Sequence, residues 1–137
     1  MFLLDTNVVS ELRKARRADV AVRRWASHVP ATSLFLSVVS VLEIEVGVLL
    51  AERRDPTQGA ILRRWLEDRL LPAFEGRVLP ADLAVIRRCA QLHVPDRRSD
   101  RDALIAATAL VHQLTVVTRN TRDYSIAGLR LLNPWEE

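Results

Sequence analysis

The sequence predicts an α/β fold, layered in the α/β/α manner, with a mainly parallel sheet of four or five strands and six or seven helices. Three observations carry that expectation. Apolar runs of strand length alternate with longer segments of helical periodicity. One of those runs, Thr115-Val116-Val117-Thr118, is β-branched throughout, the composition that suits a buried pleated surface. Pro and Gly are thinly spread, and no repeat, low-complexity tract or flexible linker interrupts the chain. One domain over residues 1–137 is therefore expected.

Phe2–Asp5 is predicted as the first strand, and Asn7–Arg13 as a short helix capped by Thr6 or Asn7. Asp19–His28 reads as a second helix with Val20, Val22, Trp25 and Ala26 available for packing. Leu34–Ser37 is a strand. Val41–Glu52 follows as a helix with Leu42, Val46 and Leu49 as its apolar stripe. Asp55-Pro56-Thr57 starts the next helix, which places Ile61, Leu62, Trp65, Leu66 and Leu70 on one face and stops at Pro72. Arg77–Leu79 is a short strand, and Pro80-Ala81-Asp82 opens a helix to Leu92. A charged loop, Pro95–Arg101, leads into the alanine-rich helix Asp102–His112. Thr115–Thr118 and Leu129–Leu132 supply the remaining strands.

A chain of 137 residues, 49% of them hydrophobic, has enough apolar side chain for a core without a staple. The single cysteine, Cys89, rules out an internal disulfide framework and reads as a small buried hydrophobe. No basic segment precedes a long apolar one at the amino terminus, and no run nears the roughly 20 apolar residues of a membrane span. A cytoplasmic protein is expected. The formal charge is +3, and the basic side chains are almost all arginine, Lys14 being the only lysine. Solvated helix faces explain the arginine doublets better than a dedicated nucleic-acid stripe does.

The chemistry concentrates in acids at the rims of apolar elements. Asp5 ends the first strand, at the sheet edge where ligands of open α/β folds bind. It reads as a ligand in preference to a cap, because Thr6 and Asn7 are there to cap. Glu43 lies four residues before Gly47, on one helix face, where the missing side chain would let a backbone or a phosphate approach. Glu45 points elsewhere, as a solvated or partner-facing charge. Asp102 heads its helix, where the dipole favours an acid, and the small residues behind it permit tight packing. Asp100 is the weaker candidate, better read as a cap. A fourth corner is Thr118-Arg119-Asn120-Thr121-Arg122-Asp123-Tyr124. There Asp123 is either a further acid or a turn residue, and Asn120 offers a neutral oxygen or an amide to position water.

Clustered carboxylates repel unless a cation neutralises them, and an all-oxygen set suits Mg²⁺ or Mn²⁺ better than zinc. His28, His93 and His112 fall near helix ends and do not read as ligands. There is no phosphate-binding glycine loop, dinucleotide fingerprint or Gly-x-Ser-x-Gly elbow. A lysine placed as in receiver domains, or a second acid two residues beyond Asp5 as in phosphatases, is also missing. Metal-assisted attack of water on a phosphodiester remains.

Four segments, in order, resemble the PIN-domain ribonucleases, specifically the VapC-like toxins of type II toxin–antitoxin pairs and their FitB-like subgroup. They are Leu4-Asp5-Thr6-Asn7-Val8-Val9-Ser10, Val41-Leu42-Glu43-Ile44-Glu45-Val46-Gly47, Asp102-Ala103-Leu104-Ile105-Ala106-Ala107-Thr108-Ala109 and Val117–Tyr124. The ending Leu132-Asn133-Pro134-Trp135 is similar too. The resemblance implies that Asp5, Glu43 and Asp102 are the core acids and hold Mg²⁺ or Mn²⁺. It implies a fourth acid at Asp123 or, in some relatives, at the place of Asn120. Asn7, Thr118 and Asn120 would position water or the carboxylates.

Arg97, Arg98, Arg101 and Arg119 would bind flanking phosphates of an RNA substrate. The resemblance further implies a homodimer and a cognate DNA-binding, VapB-like antitoxin, assembled as a heterotetramer or larger. Trp25, Trp65 and the stripe Ile61–Leu70 are core or antitoxin-facing. Losing Asp5 or Asp102 is expected to abolish cutting and to leave the fold intact. The alternative is a PIN-like module that binds protein or nucleic acid without catalysis.

Overall fold

The computed structural model describes residues 1–137. Five parallel strands, β1 (Phe2–Leu4), β2 (Leu34–Ser37), β3 (Val78–Leu79), β4 (Thr115–Val117) and β5 (Leu131–Leu132), lie in the order β3-β2-β1-β4-β5. The chain builds outward from β1 to one edge through β2 and β3. It then returns to the other side of β1 for β4 and β5. The order therefore reverses between β1 and β4, whose register pairs Leu4 with Val117. A crevice opens beyond the carboxyl ends of two strands at such a reversal.

Both faces of the sheet are covered, which is why the strands are continuous apolar runs. Leu4 and Val117 point toward α1 (Thr6–Arg13), α2 (Val20–Ser27) and α3 (Val38–Arg54). They share a cluster with Val8, Val9, Trp25, Ile44 and Val48. Leu3 and Val116 point the other way, onto Ile105, Ala106 and Ala109 of α7 (Asp100–His112). Behind α7 lies α6 (Leu83–Leu92), where Val85 and Cys89 meet Ala103 and Ala107. Alanines on two sides let α7 lie flat between sheet and helix, and Cys89 is the buried hydrophobe expected.

Between α3 and β3 run α4 (Pro56–Trp65), a π-helical stretch over Leu66–Leu70 and the single turn α5 (Leu71–Ala73). Pro72 therefore sits inside the last turn instead of ending the helix, and Leu66, Leu70 and Phe74 still reach the core. The α3/α4 crossing is close. A Cβ on Gly59 would stand 2.3 Å from the Cα of Glu52, so only glycine fits there. Arg63 ties the same crossing by pairing with Glu45 at 2.8 Å and Glu52 at 3.0 Å, so Glu45 is a structural partner and not a free charge.

Two other expectations change. Helix α3 starts at Val38, capped by the Ser37 hydroxyl accepting the Val39 N–H, three residues earlier than its periodicity indicates. Its buried side is Val39, Ser40, Ile44, Val48 and Ala51, whereas Leu42, Val46 and Leu49 face outward. Ile61 of α4 is exposed as well. Trp25 is core, edge-on to Phe2 with ring centroids 5.3 Å apart. No helix is long and apolar enough to cross a membrane.

Candidate active site

Three acids converge at the crevice beyond β1 and β4. Asp5 is the first residue past β1, and its N–H donates to the Val117 carbonyl at 2.9 Å, extending the sheet by one rung. Its side chain is 1% exposed, those of Asp102 and Glu43 are 19% and 33% exposed, and together they run from a buried floor to an open rim. Glu43 arrives from the second turn of α3, and Asp102 from the first turn of α7.

Asp5 and Glu43 each have one oxygen held by side-chain hydroxyls. Asp5 Oδ2 accepts from the Thr118 hydroxyl at 2.8 Å and from the Tyr124 hydroxyl at 3.3 Å. Glu43 Oε1 accepts from the Thr6 hydroxyl at 2.6 Å. Their other oxygens, Asp5 Oδ1 and Glu43 Oε2, face the centre. Asp5 Oδ1 also accepts the Thr6 N–H at 2.7 Å, so Asp5 is the N-cap of α1 as well as a member of the cluster. The cap reading, set aside in the sequence, holds for Asp5, and the same carboxylate also pairs with Arg101. Asp5→Ala therefore removes a cap, a loss of about 1 kcal/mol, and also an ion-pair partner. Such a change thus carries a stability cost beyond the loss of charge, and Asp5→Asn is the cleaner substitution.

At the centre stands the guanidinium of Arg101. Its Nη2 donates to Asp5 Oδ1 at 2.5 Å, its Nε to Glu43 Oε2 at 2.5 Å, and its Nη1 to Asp102 Oδ1. Nη1 also donates to the Tyr124 hydroxyl at 3.1 Å. Burial lowers the Arg101 pKa, but the Glu43 hydrogen bond and the charge of Asp5 outweigh it and raise the value above that of an ordinary arginine. Tyr124, which is fully buried, shifts upward through burial first and the Asp5 charge second, and keeps its proton. It can thus donate to Asp5 while accepting from Arg101.

Supporting groups surround this core. Thr118 accepts from Asn7 Nδ2 at 3.4 Å and from the Asn120 N–H at 3.0 Å. The Arg119 N–H donates to Asn7 Oδ1 at 3.4 Å. Asn7 therefore reaches the acids through Thr118, and Asn120 meets Thr118 through its backbone N–H. Asp123 is exposed in the 3-10 turn Thr121–Tyr124, in a polar cleft of about 330 Å³ with Arg119, Asn120, Arg122 and Asn133. It does not join the three acids at Arg101. Asp100 occupies the first turn of α7, whose cap is Ser99, and pairs with His93 Nε2 at 3.3 Å. That contact and the Arg98 N–H donated to His93 Nδ1 at 3.0 Å latch the loop before α7.

Arg97 and Arg98 are exposed on that loop, and the Arg119 guanidinium lies over the Trp135 ring, 5.0 Å from its centroid. A cleft of about 210 Å³ leads to Glu43 past Thr6, Ser10, Arg13, Gly47 and Trp65. A Cβ on Gly47 would meet nothing within 4 Å, so no backbone approaches there and the glycine opens onto this cleft. A larger apolar cleft of about 280 Å³, against Leu12, Leu34, Trp65 and Phe74, holds none of the acids. The candidate site is marked by the converging charges and not by cleft size.

Sequence reasoning missed Arg101 as the centre of the cluster and Tyr124 as its buried donor. The signal for Arg101 was its place beside Asp102. Tyr124 is the chain's one tyrosine and follows Asp123 in a segment already singled out.

The all-oxygen chemistry of the donor set fits a hard divalent cation. As arranged around the guanidinium, however, no three acidic, histidine or cysteine side chains close to ion-binding distance. Residues 2–129 match the PIN domain family model. The chain is 41% identical to VapC ribonuclease Y4jK of Sinorhizobium fredii over 99% of both chains. It is 36% identical to toxin FitB of Neisseria gonorrhoeae over the full length of both. The crystal structure of FitAcB from Neisseria gonorrhoeae superposes with a TM-score of 0.90, at 34% identity and 100% coverage of both chains. On this agreement of sequence and fold, the chain belongs to the PIN-domain family.

Proposed function

We propose that this protein is an Mg²⁺- or Mn²⁺-dependent endoribonuclease, the toxin of a type II toxin–antitoxin pair that a cognate antitoxin neutralises. The observation that carries the reading is the convergence of Asp5, Glu43 and Asp102 on one cationic centre at the carboxyl edge of the sheet. Dependence on a divalent metal is general among ribonucleases of the family. Asp5 Oδ1, Glu43 Oε2 and Asp102 would hold the ion, and Thr118, Tyr124 and Thr6 keep the first two carboxylates aimed by occupying their other oxygens. A divalent ion bound there supplies neutralisation of charge developing on the phosphate and a lowered pKa for water.

The remaining residues orient the substrate. Arg97, Arg98 and Arg119 are exposed cations and would contact phosphates flanking the scissile bond, which sets register without reading bases. Arg101 would join them only once it leaves the acids. Hydrolysis then joins a water oxygen to phosphorus as the P–O bond to the leaving ribose opens. Asp123, in its polar cleft beside Arg119, would assist from the substrate side as the fourth acid, with Asn120 held next to Thr118.

The protein partners are the antitoxin, a DNA-binding protein of the VapB type, and a second copy of this chain, in a heterotetramer or larger assembly. Exposed Leu42, Val46, Leu49 and Ile61 on α3 and α4 offer apolar surface for such contacts. The test is cleavage of a mixed RNA panel by purified protein with Mg²⁺ or Mn²⁺ and with chelator. Cleavage that needs the ion and stops when the antitoxin is added supports the reading. Metal-free protein that cuts equally well overturns the metal dependence, and no cutting under any condition, with no metal bound, favours the non-catalytic binding module.

A further inference from the structure

We propose that Arg101 is a built-in counter-cation: its guanidinium keeps Asp5, Glu43 and Asp102 converged before metal binds, and it must swing out for an ion to enter. The inference rests on the metal-dependent reading and deepens it. Three carboxylates brought together without a cation would repel one another and splay the ends of β1, α3 and α7. Arg101 removes that penalty, because each of its three nitrogens serves a different acid. The Nη1 donation to Tyr124 completes the set.

The same contacts oppose the ion. Asp5 Oδ1 and Glu43 Oε2, the oxygens that face the centre, are the ones the guanidinium occupies, and with it in place no three donors close to ion-binding distance. A planar guanidinium needs more room than Mg²⁺ or Mn²⁺, so the acids can draw inward only when it leaves. An exit exists. The Arg101 side chain is 32% exposed, level with Glu43 at the rim, while Asp5 beneath it is 1% exposed. Arg101 is also the residue before Asp102, in the first turn of α7. Its head can therefore move to the crevice mouth without any shift of the helix that carries Asp102. The positioning role and the competing role are two sides of one contact.

Calorimetric titration of RNA-free protein with Mn²⁺, with thermal melting in chelator and in Mn²⁺, tests this. Charge-assisted hydrogen bonds are each worth a factor of about ten or more, so Arg101→Gln should bind Mn²⁺ at least about tenfold more tightly than wild type. In chelator it should melt below wild type, and Mn²⁺ should raise its Tm by more. Arg101→Lys, which keeps the charge but cannot reach three acids at once, should fall between the two and guards against a Gln variant that fails to fold. Equal or weaker Mn²⁺ binding by both variants, with wild type binding normally, overturns the counter-cation and leaves the metal reading standing. Absence of Mn²⁺ binding in wild type and variants alike overturns both.

Discussion

Tyr124 shows how a single buried hydroxyl can decide the geometry of a site. Its phenol donates to Asp5 and accepts from Arg101, so it couples the floor of the crevice to the cation above it. Burial and the Asp5 charge raise its pKa, so the folded state binds this proton more tightly than the unfolded chain does. The sign follows. Its contribution to stability is intact below the ordinary tyrosine value of about 10 and is lost as pH climbs beyond it. Because the chain has one tyrosine, tyrosinate absorbance reports this residue alone. An alkaline titration should show no tyrosinate until the fold opens, and then a single cooperative step. Smooth ionisation near pH 10 in folded protein would place Tyr124 in a solvated setting instead.

At the same scale, the three acids were legible because each stands alone at the edge of an apolar element. Arg101 and Tyr124 were not. An arginine in a charged loop and a tyrosine in a turn look solvated until the tertiary fold brings β1, α7 and the turn after β4 together. Asp123 illustrates the converse: an acid next to the right residue, on the exposed side of the turn.

Among the elements, several helix starts were legible, although Asp5 and Ser99, in place of Thr6 or Asn7 and of Asp100, cap α1 and α7. Asp19, Asp55 and Asp82 each cap the helix their positions indicate, and Leu34–Ser37 is the strand predicted. Helix α3 was harder, because it is apolar on nearly all sides and periodicity alone does not say which stripe faces inward. Its inner face is set by Ile44 and Val48 packing on Leu4, Val8 and Val117, while the tight crossing at Gly59 fixes its approach to α4, and no local pattern marks either. Gly59→Ala forces a methyl against the Glu52 backbone, an overpacking that should cost about 1–3 kcal/mol. Denaturant unfolding checks this. An unchanged midpoint would mean that the two helices separate freely.

The whole molecule places its chemistry by topology. A parallel sheet that grows outward from β1 and then reverses leaves one crevice at the β1/β4 boundary, and Asp5 and Thr118 are the residues that follow those two strands. The order of strands was not derivable from the pattern, although the carboxyl-edge location was. If the exposed arginines contact RNA phosphates as proposed, RNA binding is salt-dependent. Replacing Arg97 and Arg98 with Gln should weaken binding equally across sequences. It should also lower the slope of log K against log salt by about 0.7 for each phosphate that is no longer neutralised. Binding measured across a salt series checks this, and an unchanged slope would place the RNA path elsewhere.

The central claim is that the acids gathered at this crevice perform the hydrolysis. Its most direct measurement is RNA cleavage in Mg²⁺ or Mn²⁺ by wild type and by Asp5→Asn, with the circular dichroism of both recorded. Asparagine keeps an oxygen to cap α1, so the account predicts a folded variant that has lost cutting. A folded Asp5→Asn protein that cuts as fast as wild type would contradict it.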